Sequence, residues 1–284
     1  MSRQNMTTPR FFINEGLYHQ VSKEYNNSVL EFNPSNIKTF NSKEINFSLD
    51  DIPNYVMVLG NTQTFGLMGD GVTATSDIQA VNELIGGEYF DSKGYALQGI
   101  TTSNKDFTLK IDGDLGTLSI GRYYDMPHSP ELALTMSHEY KGVTKQTTMG
   151  GATLTNINYY KPPKWGDLEA WQLGDYTRKY SGRRIWDLAF NYINDEDLEP
   201  KHYAVAQEQS IYNDNWFSNV LYYTIGGTLP FVFQPNKDAL YEVYDEGINS
   251  VPEFAICRFD MDTFSREQVA PNVYNIKVKI KETW

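Results

Sequence analysis

The chain has 284 residues, enough for two ordinary domains or one large β domain, and 36 Asp and Glu against 24 Lys and Arg leave a formal net charge of −12. That balance lacks the basic footprint that phosphate contacts need, so a general nucleic-acid role is excluded. Twenty Tyr, 15 Phe and 5 Trp mark a β-rich chain with a core, and the single cysteine, Cys257, rules out an intrachain disulfide or a cysteine-based zinc site.

Residues 1–28 are polar and Asn-rich around one aromatic patch, Phe11-Phe12-Ile13, and read as an N-terminal arm that orders only against a neighbour. No apolar segment of signal-peptide length opens the chain, and none approaches the ~18 residues of a membrane span. A soluble protein made in the cytoplasm, without a membrane partner, is expected. Strand signals recur over 29–125: Ile45-Asn46-Phe47, then Tyr55–Leu59, continuous enough for a fully buried strand. Phe107, Leu109 and Ile111 alternate with Thr108 and Lys110. Asp112-Gly113 follows as a turn, with Leu118 and Ile120 on the return strand. Short strands joined in this way predict a sandwich. Ser76 as cap, Gln79 three residues on, apolar Ile78, Val81, Leu84 and Ile85, and the stop Gly86-Gly87 predict a short helix across it.

A second β domain is expected over 126–284. Leu132, Leu134 and Met136 alternate with Ala133, Thr135 and Ser137. The stretch 141–181, holding Gly150-Gly151, Pro162-Pro163, Trp165 and Trp171, is long for an irregular connection and predicts an interface. Trp186, Leu188, Phe190 and Tyr192 form one face of a strand. Residues 214–225 read as an amphipathic helix capped by Asp214, burying Trp216, Phe217, Val220, Leu221 and Ile225 and stopped by Gly226-Gly227. Pro230 forces an extended Phe231-Val232-Phe233. After the run Phe254–Phe259, Ile276, Val278 and Ile280 alternate strictly with Lys277, Lys279 and Lys281, one face in a core and one in water.

Candidate chemistry is sparse. Asp112-Gly113-Asp114 has Gly116, Thr117 and Tyr123 where a calcium loop needs a ligand, a glycine and a glutamate, so a hairpin turn is the better reading. Asp195-Glu196-Asp197 reads as a solvated turn. The histidines His19, His128, His138 and His202 are scattered, without a metal-binding spacing. Asp125, His128 and Ser129 sit together in a Pro-bounded extended segment, where neighbouring side chains diverge rather than form a relay. No nucleophile elbow, phosphate loop or dinucleotide motif is present, so neither a catalytic residue nor a cofactor or metal ligand is assigned and no enzyme activity is expected. Cys257 reads as a buried thiol. The cluster Arg178-Lys179-Tyr180-Ser181-Gly182-Arg183-Arg184 stands out in an acidic chain. With Trp165 and Trp171 it gives five candidate interface residues: Trp165, Trp171, Arg178, Arg183 and Arg184. Tyr159–Trp165, with Pro162-Pro163, reads as a stiff loop or a polyproline ligand.

Three blocks carry a family resemblance. They are Gly121–Pro130, then Gly150-Gly151 through Lys161–Trp165 to Ser181–Leu188, then Gly226–Pro235 through Phe254–Phe259 and Gln268-Val269-Ala270 to Trp284. In this order they resemble structural proteins of tailed bacteriophages, marine and cyanobacterial ones especially, of the distal-tail and baseplate-associated kind; Asn54–Gly60 is more weakly similar to a strand of phage jelly-roll modules. The resemblance implies a mainly β fold of two sandwich domains, jelly-roll-like over 29–125 and a tail-type sandwich with one helix over 126–284. It implies a virion protein that forms a ring, expected to be hexameric, linking tail tube to tip, with tube, hub and fibre proteins as neighbours. A collar or minor tail position fits the same residues. A glycan-binding receptor module, with Trp165 and Trp171 lining a groove for a host-surface glycan, is the alternative from another class, and a tail-associated glycan hydrolase the third.

Overall fold

The computed structural model describes residues 6–22, 30–32, 38–49, 51–59, 65–68, 73–75, 95–132, 134–140, 143–157, 164–165, 168–169, 183–200, 214–238, 242–244, 247–250 and 254–283. Among these the chain is mainly β, with one large antiparallel sheet and three short helices. The sheet's strands are β1 (Arg10–Asn14), β2 (Tyr55–Leu59), β3 (Thr73–Thr75), β4 (Tyr95–Thr101), β5 (Thr117–Asp125), β6 (Thr135–Glu139), β7 (Arg183–Asn194), β8 (Phe231–Gln234), β9 (Ala255–Phe259), β10 (Arg266–Ala270) and β11 (Val273–Glu282). Their spatial order is β3-β4-β2-β5-β1-β8-β9-β11-β7-β6, with β10 paired beside the start of β11.

The central strand is the N-terminal one. Phe11 pairs with Tyr124 of β5 on one side and Phe233 of β8 on the other. All five β1 residues are buried, which only a strand covered on both faces allows. Phe11 meets Trp216, Phe233 and Phe231 at ring-centroid distances of 5.0, 5.3 and 5.6 Å. Phe12, on the opposite face, meets Tyr55 at 5.0 Å and Phe254 at 5.9 Å. Each fully buried Phe contributes roughly 1.5–3 kcal/mol. Asn14 ends the strand: its Oδ1 accepts the Leu17 N–H at 3.2 Å, capping α1 (Glu15–Ser22), while its Nδ2 donates to the Leu30 and Leu118 carbonyls. Residues 10–22 of the expected arm are thus a core strand and a helix, and the Phe11-Phe12-Ile13 patch is the reason. Three consecutive apolar residues serve both faces of a buried strand. Gly121 lies where β5 passes β1, and a Cβ there would stand 2.4 Å from the Ile13 carbonyl oxygen.

The boundary expected after residue 125 falls at the end of β5, but the sheet continues across it, because β1 bonds to β5 and to β8. Asp112-Gly113 is not a turn. It lies within the strand Asp106–Leu115, opposite an irregularity between Phe40 and Lys43 of the strand Lys38–Ser48. These two strands and Phe65–Met68 form a separate three-stranded sheet, and the chain crosses from it into β5 at Gly116. The helix expected from Ser76 lies outside the described residues. The Tyr55–Leu59 strand is as expected, with Tyr55 to Val58 all fully buried.

In the second half Trp186, Leu188 and Phe190 face the core with Phe231, Phe233, Ile276, Val278 and Ile280, as their alternation requires. Cys257 is fully buried in the same cluster. The helix expected over 214–225 is a single π-helical turn, Phe217–Leu221, extended by turns to the glycines. Asn215, not Asp214, supplies the cap: its Oδ1 accepts the Ser218 N–H at 2.8 Å. Trp216, Val220 and Leu221 are buried, but Ile225 is exposed. The wider turn, with the Tyr222 and Gly226 N–H groups bonded five residues back, changes the phase of the buried face, and Ile225 itself has φ 52°.

Candidate interaction surface

Two of the five residues singled out in sequence, Trp171 and Arg178, lie outside the described residues. Trp165 pairs through its backbone with Leu168 in a short two-stranded ladder. Arg183 and Arg184 open β7, and the pleat sends them to opposite faces. Arg184 goes inward, onto the face of Trp186. Its Nε and Nη2 donate to Glu282 at 3.1 and 3.0 Å, Nη2 also reaches the Phe254 carbonyl at 3.2 Å, and the guanidinium stands 5.2 Å from the Trp186 ring centre. Only 6% of Arg184 is exposed. Within the protomer it is an internal ion pair joining β7 to β11. Arg183, half-buried, pairs in register with Glu139 of β6.

That register places the expected interface loop. β6 lies at the end of the sheet order, and after it comes a hairpin, Val143–Thr147 against Thr153–Ile157, turning through Gly150-Gly151. Every residue from 144 to 156 is exposed, so both faces of the hairpin meet solvent. Five of the ten exposed large apolar side chains among the described residues fall between residues 132 and 154: Leu132, Met136, Tyr140, Met149 and Leu154. Met149, at the tip, is fully exposed. Residues 132–157 contain a single acid, Glu139, in a chain with 36, and its carboxylate is held by Lys281 at 2.6 Å. A two-stranded hairpin alone is marginally stable in water, so one with apolar side chains on a weakly charged surface has the properties of a contact element.

The other end of β7 is different. A bulge between Phe190 and Ile193 gives the core position to Ile193 and turns Tyr192 outward, at φ 59° and 73% exposed. The expected inward face therefore stops at Phe190. The Tyr192 N–H is bonded by Asn275 Oδ1 at 3.1 Å. Next along the chain, Asp195 to Leu198 form helix α2, whose Asp197 carbonyl accepts the Tyr124 hydroxyl at 3.0 Å. Burial first, then the carboxylates of Asp197, Asp214 and Asp125, push the Tyr124 phenol well above its ordinary value.

Asp125, His128 and Ser129 do not converge. The Asp125 carboxylate takes both Arg10 Nε at 2.6 Å and Nη2 at 2.9 Å; His128 Nδ1 lies 2.9 Å from the Ser129 carbonyl oxygen; the Ser129 hydroxyl faces Thr8 at 3.4 Å. Among the described residues no group of three or more His, Cys, Asp or Glu is placed to hold a metal ion, and no helix is long and apolar enough to cross a membrane. No protein-family model, curated protein or solved structure matches this chain.

Proposed function

We propose that the chain is a structural virion protein of a tailed phage, placed at or near the distal tail or baseplate, where copies form a ring that joins tail tube to tip. The observation that carries this reading is the stretch from Leu132 to Ile157, which has a single acid and, among the described residues, holds five of the ten exposed large apolar side chains beside the last strand of the sheet. A protein that works alone in water gains nothing from such an element; one that works by packing against copies and neighbours needs it. The three sequence blocks that resemble phage tail proteins supply the identity of the assembly. Partners on this reading are further copies and the tube, hub and fibre proteins of the tail, and a collar position would use the same surface. The glycan-binding alternative depends on Trp165 and Trp171; the two tryptophans whose side chains are described, Trp186 and Trp216, are core residues and offer no sugar a platform.

Purified particles test the proposal. Mass spectrometry should find the chain in several copies per particle, and electron cryo-microscopy should place its density as a ring near the tail tip. Particles that lack the chain would end the virion reading, and density confined to an extended fibre tip would favour the glycan-binding alternative.

A further inference from the structure

The sheet brings two unlike surfaces to opposite ends of one strand. At the start of β7, Arg183 pairs with Glu139, and the chain leaves β6 there for the hairpin. At its far end, Asn194 pairs with Val273 and carries on into α2. The strand's twelve residues span roughly 35–40 Å from one end to the other. The hairpin end offers Met149 and Leu154 with exposed Lys145 and no acid of its own. The far end offers Tyr192 and Val269, also exposed, beside Asp195, Glu196 and Asp197. Asp195, Glu196 and Asp197 are the acids of this end, while Glu199 is buried against Arg266. Apolar groups thus stand at both ends, in surroundings of opposite charge.

We infer that the hairpin of one copy docks on the Tyr192 end of the next, in a head-to-tail contact between two copies of this chain. The inference rests on the ring reading above and deepens it by naming the two faces. A contact between unlike faces repeats, and it closes into a ring where the rotation permits. Charge complementarity selects the partner: the hairpin has little to repel acids, whereas two far ends would repel each other. Tyr192 suits an anchor, because its backbone conformation is fixed in the free protomer by the bulge and the Asn275 hydrogen bond, so little ordering is left for docking to do.

The test uses the full chain and two exposed-surface variants. One carries Met149→Glu with Leu154→Glu. The other carries Tyr192→Asn, which tolerates the positive φ, with Glu196→Lys. Each should keep the wild-type circular dichroism and melting temperature and weaken self-association by about 30-fold or more in sedimentation velocity. Mixed one to one, they retain a single intact pair of faces, so the mixture should form a dimer and nothing larger. A mixture that stays monomeric while the wild type associates would overturn the contact, as would wild-type association by either variant alone or a wild-type chain that is monomeric throughout the concentration series. Should the first variant misfold, Lys145→Glu alone replaces it, with the same capped dimer expected. A capped dimer from a chain absent from particles would leave the contact standing and end the virion reading instead.

Discussion

Replacing Phe11 by Ala probes the placement on which the whole sheet depends. The side chain is fully buried, and its ring lies within 5.0 to 6.2 Å of Trp216, Phe233, Phe231 and Phe259. These neighbours come from the residue that leads into the π-helical turn, from β8 and from β9, all bound into the same sheet or packed on it, so they cannot close the space without moving backbone. A poorly collapsing Phe-to-Ala cavity costs about 3–5 kcal/mol. Spread over the unfolding entropy of a domain of some 150–250 residues, at roughly 2–4 °C per kcal/mol, the melting temperature should fall by about 6–20 °C. Differential scanning calorimetry or circular dichroism measures it. Phe11→Leu should recover most of the loss, because much of the apolar volume returns. Met149→Ala, at a fully exposed tip, should stay within about 0.5 kcal/mol of wild type. If Phe11→Ala melts within a degree or so of wild type, residues 10–14 are not a core strand, and the arm reading of residues 1–28 stands instead.

Arg184→Met leaves the Glu282 carboxylate buried without its partner and should cost about 3–5 kcal/mol in urea unfolding; adding Glu282→Leu should restore most of it, and a double variant no more stable than the single one would show that the pair is not internal. Burial raises the folded-state pKa of Tyr55, Tyr124 and Cys257 above the ordinary value, and in each the neutral form is the one the fold holds. Their contribution is therefore fully present below the ordinary thiol and phenol range of about 8.5–10 and is lost as pH rises above it toward the folded values. Phenolate absorbance should show Tyr55 and Tyr124 among the tyrosines that ionise only with unfolding, and a thiol reagent should reach Cys257 only then; prompt reaction of these groups in the native state at moderately alkaline pH would contradict the burial.

Much of the fold is legible in the sequence because strict alternation leaves few choices. Ile276, Val278 and Ile280 against the lysines, Trp186 to Phe190, and the Tyr55–Leu59 run all sit where their period puts them. What the sequence hides is long-range pairing and local irregularity. Phe11-Phe12-Ile13 is too short to show a period, and only its partners, more than a hundred residues away in either case, reveal a strand buried on both faces. Tyr192 continues a perfect alternation on paper; the bulge that ejects it is set by backbone geometry with no residue signature. Asp112-Gly113 carries strong turn chemistry, yet strand pairing with Lys38–Ser48 prevails over it. The interface candidates mix both lessons. Arg184 shares the parity of Trp186, Leu188 and Phe190, so its inward direction was readable from the same period that placed the tryptophan. The hairpin at 143–157 was readable only as an irregular stretch with Gly150-Gly151, because its strands are Thr-rich and exposed on both faces and so show no apolar alternation.

The central position of β1 also sets a timetable. Tyr124 follows Phe11 by 113 residues and Phe233 follows it by 222. Doubling a closed loop costs only about 0.6 kcal/mol, so neither partnership is much favoured by chain entropy. Translation separates them instead: at about 5–20 residues per second, β5 emerges some 5–20 s before β8. Through that interval β1 can pair on one edge while its other edge and the Phe11 face have no lid. A nascent chain in this condition displays an unpaired strand edge beside an aromatic surface, the combination most open to pairing with the wrong neighbour. Slowing synthesis before residue 231 should therefore lower the soluble yield, whereas slowing it after β11 is complete should not.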